Sequence, residues 1–599
     1  MNLMKFTAFV SLFVLFSVNT FAKPVIIYTD PEPDAKYVSI DNEIIIGFDS
    51  PVNLNLSNSA DFITVIGNKS GIHTGEIKLV ENNSKILFKP SVPFTFGENV
   101  HVIVNEGSKT INGAFLNKYS FSFTTQKNKI AWNPTRSFRE ELDIRASQKN
   151  YGIAPPPGLP QISVITDNNP TPGKIFMSNF PFDTNISNIP FLIITDNAGV
   201  PFYYKELGAY SFDFKEQPNG FLTYFDATAG NFKEMDTNYN IIESFYCGNG
   251  YTADPHELRV LNDGSAYLLS YDPEIVNMSE IVAGGDTAAT VVGLVVQKID
   301  QNKNVVFQWR SWNHYRIADA IHQNLLAPYI DYVHGNAIEI DNDGNIIISA
   351  RHQDEISKIN VSNGEFIWRL GGGVNNQFTF LNDPDGFNYQ HAIRRLANGD
   401  LILFDNGNFH TPPYSRAVEY SLDLANKTVS KVWQYRHTPD VQSQAMGFAQ
   451  RLDDGNTLIS WGAANPTLTE VTPQGATVLE LSLPSGVYSY RTFKFNWNYQ
   501  PIGITPISSI VPKSYSLSQN YPNPFNPSTI IKFDIIKTGH VSLVVYNELG
   551  QEVSMVVDET LTPGSYSAAF NGASLSSGVY FYRLVTDNFT SVKKMALIK

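Results

Sequence analysis

The stretch that decides the fold is Ala337-Ile338-Glu339-Ile340, followed by Asp343-Gly344 and then Asn345-Ile346-Ile347-Ile348. Two short apolar runs around an Asp-Gly pair predict a tight β-hairpin, because glycine accepts positive φ at little cost. The scheme recurs. Asp263-Gly264 stands between Leu258-Arg259-Val260-Leu261 and Ala266-Tyr267-Leu268-Leu269. Asn219-Gly220, Asn398-Gly399 and Asp454-Gly455 precede the runs Phe221 to Phe225, Leu401 to Phe404 and Thr457 to Ser460. Further strands follow, such as Ser357-Lys358-Ile359-Asn360 and Glu365-Phe366-Ile367-Trp368 around Asn363-Gly364. Four strands per repeat, recurring every ~45 to 80 residues, predict a β-propeller of about six blades over roughly 160–500. A β-helix or tandem sandwiches would be the alternatives.

Working outward, residues 24–125 alternate apolar and polar in short runs such as Ile44 to Phe48 and Tyr119 to Phe123, which predicts a small β-sandwich. A polar connector, 126–159, ends near Pro155-Pro156-Pro157-Gly158, and its Arg136 to Arg145 stretch suits a short helix. After a second connector, 501–514, alternating strands over 515–599 predict another small sandwich. The fold class is therefore all-β: a central six-bladed propeller flanked by an N-terminal Ig-like β-sandwich and a small C-terminal β-sandwich.

The first residues, 1–22, read as a secretion signal. Lys5 supplies the charge, Phe6 to Val18 the apolar run, and Ala22 a small residue at the cleavage point. That run is too short for a ~30 Å hydrocarbon core, and no later run is longer, so no transmembrane segment is expected in the mature chain. Cys247 is the sole cysteine, so packing rather than an intrachain disulfide must hold the fold. A net charge of −14 without Lys/Arg clusters excludes nucleic acid as a partner. Aromatic content of 13% with 17% charged residues fits an all-β exported chain.

Three of the eight histidines in the repeats share a register. His256 precedes Gly264 by eight residues, His334 precedes Gly344 by ten, and His391 precedes Gly399 by eight. Each opens the first strand of a different hairpin, so in a propeller they converge at one end of the channel. Near Met446-Gly447 the next repeat has no histidine. Arg351 falls close to opposite His334 across the hairpin, and Phe404-Asp405-Asn406-Gly407 brings polar groups to the matching depth beside His391. An imidazole beside a guanidinium suits an intervening anion, and arginine's planar fork suits sulfate or phosphate oxygens. One such histidine alone would be structural; three in register with an arginine predict a site. His314, His322, His352, His410 and His437 lack the register and are expected in loops or at the surface, with His352, next to Arg351, at the rim. Tyr271, Tyr332, Tyr389 and Trp461 are candidates to stack on an aryl ring or to fill blade cores.

The segments Pro255-His256-Glu257-Leu258, His334-Gly335-Asn336-Ala337, Ile348-Ser349-Ala350-Arg351 and Gln390-His391-Ala392 resemble the bacterial arylsulfate sulfotransferases that use no nucleotide sulfate donor. That resemblance implies a six-bladed propeller and sulfuryl transfer from an aryl sulfate donor to a phenolic acceptor, with no cofactor and no metal. It implies His391 as the nucleophile that becomes a sulfohistidine, with His256, His334, Asn336 and Arg351 around the sulfate oxygens. Tyr389 and Tyr332 join Asn336 as expected substrate-binding residues. Enteric members carry a disulfide near the site, which the lone Cys247 cannot supply. Residues 24–125 resemble bacterial Ig-like modules. Asn520-Tyr521-Pro522-Asn523-Pro524-Phe525-Asn526-Pro527, Gly578-Val579-Tyr580 and Lys593-Lys594 resemble the type IX secretion sorting domain, which implies the type IX machinery as partner and a secreted or surface-attached protein.

Two other readings stay open from the residues alone. A surface propeller could bind carbohydrate or protein with structural histidines. Three imidazoles could also hold Zn²⁺ or Cu²⁺, although Arg351 so close argues against a cation.

Overall fold

The computed structural model describes residues 24–52, 62–106, 116–132, 158–181, 189–497, 504–508, 512–572 and 575–599. The expected secretion signal and the short helix expected over Arg136 to Arg145 lie outside the described residues. Two compact units divide the chain, residues 1–128 and 129–599.

The first unit holds two four-stranded antiparallel sheets. Alternation along Asn99–Val104 and Tyr119–Thr124 turns every second side chain inward, as the two-residue strand period requires. Val38, Ile46, Val65, Phe88, Val102 and Phe123 form its core.

In the second unit, six sheets follow one another. Five of their inner hairpins use one turn. In each, a glycine at positive φ, Gly220, Gly264, Gly344, Gly399 or Gly455, donates its N–H to the carbonyl three residues back. The Asn or Asp just before it accepts the N–H of the residue just after. No atom lies within 4 Å of a Cβ placed on Gly344, so conformation rather than space demands glycine there.

Blade 3 comprises Leu258–Val260, Ala266–Val276, Ala289–Ile299 and Val305–Arg310; blade 4 comprises Gly335–Ile340, Ile346–Ala350, Glu355–Ile359 and Phe366–Gly371. Blade 5 runs from His391–Arg395 to Thr428–Tyr435, and blade 2 from Lys215–Glu216 to Ile241–Phe245. The ends of the region meet. Ser163–Asp167 pairs with Thr477–Ser482 as the outer strand of blade 6, and Lys174–Pro181 of blade 1 pairs with Val487–Ser489 and Phe493–Phe495 from the far end. Apolar packing passes from blade 4 to 5 through Ile347 and Leu403, from 5 to 6 through Phe404 and Trp461, from 6 to 1 through Leu458 and Ile193, and from 1 to 2 through Leu192 and Tyr224. Gln217 of blade 2 donates to the Leu258 carbonyl of blade 3 at 3.0 Å. Blades 3 and 4 approach so closely that a Cβ on Gly335 would lie 2.4 Å from Leu294. The succession thus returns to its first blade, as a six-bladed propeller does.

The C-terminal sandwich encloses Ile531, Phe533, Leu543, Tyr582, Leu584 and Met595. Its sorting motif is structural. Asn520 donates to the Pro522 carbonyl and to Thr529, and Phe525 is buried with its N–H on the Ala596 carbonyl. Ile504–Ser508, within the stretch read as a connector, pairs with Gly564–Asn571 and so joins this sandwich.

Blade 3 extends beyond its neighbours because its central strands are eleven residues long. That overhang buries Asp272, which accepts from Arg310 and Trp312, and Glu274, whose Oε1 has no partner among the described residues. Burial, then the Asp272 charge, pushes the Glu274 carboxyl up to about 8 against the pull of Arg310. The folded state therefore keeps a proton that the unfolded chain has lost, so stability falls as pH rises from about 4.5 towards 8. Glu274→Gln is expected to flatten that decline and raise stability at pH 8 by up to about 4 kcal/mol. Denaturant melts of both proteins at pH 5 and pH 8 measure the difference.

Candidate functional site

Register places the histidines. His256 stands two residues before the inner strand of blade 3, His334 abuts that of blade 4, and His391 begins that of blade 5. His334 takes φ 50° and Ala392 φ 58°, left-handed values that non-glycine residues adopt at a cost. The rings meet: His256 and His334 have centroids 5.0 Å apart, and His334 and His391 6.4 Å. All three are buried, His391 fully.

Their Nδ1 partners fall into two classes. His256 bonds Asp254, and His334 donates to Asp331 Oδ2 at 2.8 Å. His391 instead bonds the Asn406 side-chain oxygen at 2.7 Å. The amide of Asn406 is fixed in orientation, because its Nδ2 donates to the carbonyls of Ser443 and Met446. Its oxygen must therefore face His391, so Nδ1 carries the proton and Nε2 the lone pair. The Met446 N–H, 3.2 Å away, donates to that lone pair. A carboxylate behind an imidazole stabilises a ring carrying a second proton; an amide does not. Chemically, the site thus offers one imidazole suited to attack and two suited to hold charge or move protons.

Arg351 sits where its cross-strand position predicts, donating its backbone N–H to the His334 carbonyl. Its guanidinium lies 4.1 Å from the Tyr389 ring centroid, donates to His352 Nε2 at 2.7 Å and reaches the Gln444 carbonyl at 2.8 Å. His352, expected in a loop or at the rim, is buried in the cluster 4.9 Å from His334 and donates from Nδ1 to the Asp331 carbonyl. His410, expected in a loop or at the surface, is also buried, on Asp405. Asn336 spans two blades: Nδ2 donates to the Gln390 carbonyl and Oδ1 accepts from Ala392 N–H, bracing the backbone on both sides of His391.

Of the aromatic candidates, Tyr271 reaches the cluster, 5.8 Å from both His256 and His334, and Tyr389 stands 5.2 Å from His352. Tyr332 does not. Its ring packs on Trp312 and its hydroxyl meets Ser311 Oγ, which makes it a packing residue between blades. Trp461 lies in the core between blades 5 and 6. Two aromatic residues went unforeseen. Tyr490 arrives from the link between Val487–Ser489 and Phe493–Phe495, 5.5 Å from His256, and connector residue Trp132 packs 4.7 Å from Tyr271. No repeat spacing marks either one. The aspartates leave a faint trace, two residues before His256 and three before His334, but the offsets differ.

Asp331, His334 and His352 bring possible metal ligands within 4.8 Å of one another. Both Nδ1 atoms already bond Asp331, and Arg351 holds the other nitrogen of His352, so the cationic guanidinium opposes a metal ion here. An anion suits the same surroundings better.

Residues 162–491 match the Arylsulfotransferase (ASST) family, 519–599 the secretion system C-terminal sorting domain, and 22–125 the bacterial Ig-like domain Big_5. No curated protein matches the chain. Among solved structures, it is similar to a Bacteroides caccae protein of unknown function (13% identity, 54% of this chain and 99% of that one, TM-score 0.35). A catalytically inactive virginiamycin B lyase from Staphylococcus aureus (9%, 68% and 98%, 0.29) and apo AztD from Citrobacter koseri (7%, 55% and 100%, 0.29) are also similar. These likenesses are distant and carry nothing over to this chain. The sorting domain marks the protein for export, and no helix among the described residues is long and apolar enough to cross a membrane.

Proposed function

The chain belongs to the arylsulfotransferase family, and on that premise we propose that it moves a sulfuryl group from a phenolic sulfate ester to a phenol through a sulfohistidine on His391, without a nucleotide donor. The observation that supports this reading is the fixed tautomer of His391, which leaves Nε2 unprotonated with the Met446 N–H on its lone pair, in a ring 6.4 Å from that of His334.

In the first half-reaction Nε2 attacks sulfur, the N–S bond forms and the S–O(aryl) bond breaks. The leaving phenolate takes a proton from a protonated imidazole, His334 or His256, whose positive charge Asp331 or Asp254 balances. Arg351 supplies fixed donors for the sulfuryl oxygens as charge grows on them. The second half-reaction runs in reverse with a new phenol, which gives its proton to the same imidazole as its oxygen attacks sulfur. Tyr271 and Tyr389 supply ring faces for the aryl group. Asn336 acts as a positioning residue, holding the backbone of His391 rather than the sulfate.

The test is transfer from p-nitrophenyl sulfate to phenol with no nucleotide present. Chromophore release that requires phenol, with parallel double-reciprocal lines, is the expected result for a covalent intermediate. Intersecting lines would remove the sulfohistidine step. No turnover across several donors and acceptors would leave a surface propeller that binds rather than transfers.

A further inference from the structure

The propeller channel has a second chamber. It is a cavity of about 480 Å³ lying beyond the histidines along the inner strands, towards their hairpin turns. Its walls carry five basic side chains, Lys215, Arg259, Arg394, Arg395 and Arg451, and one acidic one, Glu216. Each of these cations has an acidic partner. Glu257 meets Lys215 and Arg394, Glu339 meets Arg259, Asp341 meets Arg395, and Glu419 meets Arg451. None of those four acids lines the cavity. The lining is therefore predominantly cationic, and the paired carboxylates are not part of it.

Arg259 is the least engaged of them. Its one ion-pair contact is Nη1 to Glu339 at 3.2 Å, whereas a guanidinium offers five N–H donors. Three phenylalanines, Phe448, Phe493 and Phe495, also line the cavity, with Phe448 and Phe493 centroids 4.8 Å apart. A guanidinium with one ion-pair contact and further N–H donors, beside aromatic side chains, fits a ligand with one anionic head and one flat ring.

We propose that this chamber binds an aromatic monoanion, an aryl sulfonate, sulfate or carboxylate, with its head on Arg259 and its ring against the phenylalanines. The site is separate from the histidine cluster and does not rest on sulfuryl transfer.

The probe is 2-naphthalenesulfonate, whose carbon–sulfur bond leaves nothing to transfer, titrated by calorimetry into the mature chain. In an Arg351→Ala/His391→Ala background, which disables the histidine cluster, binding persists at one equivalent. Adding Arg259→Gln weakens it about tenfold or more, as loss of a charged hydrogen-bond donor predicts. Pro218→Glu, at an exposed position on the cavity wall, does the same through charge repulsion and covers the case in which Arg259→Gln fails to fold. Neutral naphthalene and methanesulfonate each bind more weakly than the probe. Loss of all binding in the double variant, or binding that neither added substitution weakens, overturns the proposal.

Discussion

Replacing His391 by alanine is expected to lower sulfuryl transfer about 10⁴-fold or more while leaving the fold intact. The neighbouring imidazoles are better placed to hold charge or move protons than to attack. His256 and His334 are held through Nδ1 by carboxylates, and His352 has both nitrogens engaged, one by Arg351 and one by a backbone carbonyl. Removing a nucleophile eliminates a covalent route rather than weakening one contact, so the loss approaches what remains from binding and charge stabilisation alone. Two measurements check it: the steady-state rate with p-nitrophenyl sulfate and phenol, and an acid-quenched digest of the wild type incubated with donor only. The digest should show the sulfuryl mass on the peptide that contains His391. Full activity in the alanine variant would move the nucleophile elsewhere.

The largest stability effect is expected at Glu257, one residue from His256. Its carboxylate is fully buried and meets Lys215, Arg394 at 2.8 Å and Arg491 at 2.7 Å, in blades 2 and 5 and the link between Val487–Ser489 and Phe493–Phe495. Burial alone would raise its proton affinity, but Arg394, Arg491 and Lys215 together hold the carboxyl well below the usual range. Glu257→Ala leaves three cations facing one another away from water, a change that costs about 3–5 kcal/mol. Glu257→Gln keeps the shape and removes the charge, so a comparable loss assigns the effect to charge rather than packing. Because the folded carboxyl is depressed, its stabilisation is fully present above the ordinary carboxylate range and is lost progressively as pH falls from that range through the depressed value. Urea melts of the three proteins at pH 7 and pH 3 test both statements. A Glu257→Ala protein within about 1 kcal/mol of wild type would show that the channel network is not what holds the blades together.

Arg491, the third cation on that carboxylate, also donates to the Asn336 carbonyl at 2.7 Å. The ion network is thus tied to the residue that braces the backbone on both sides of His391. Stability and site geometry share these contacts, so activity in Glu257 variants is best compared with their melting behaviour in hand.

What the sequence by itself determined is local. An Asp-Gly or Asn-Gly pair between two apolar runs permits little besides a tight hairpin, so the blades could be read directly. The distance from each glycine back to His256, His334 and His391 fixed their shared depth, and Arg351 followed from cross-strand pairing. What only the tertiary structure decided is how side chains from distant segments face one another. Ser163–Asp167 pairs with Thr477–Ser482 across some three hundred residues, and Tyr490 comes to the site from that far end. His352 could not be separated from a rim residue, because a single 3-10 turn at Arg351–Gln353 carries it into the cluster. Tyr332 and Tyr389 looked alike in sequence, yet one packs on Trp312 and the other under Arg351. Spacing brings Asp405 and Asn406 alike to the depth of His391, but does not tell which of them meets its ring, nor that its neighbours have carboxylates behind them. Those partners lie at unrelated offsets in loops of unequal length. Backbone conformation is set by neighbours in sequence, whereas an imidazole's tautomer and charge are set by neighbours in space.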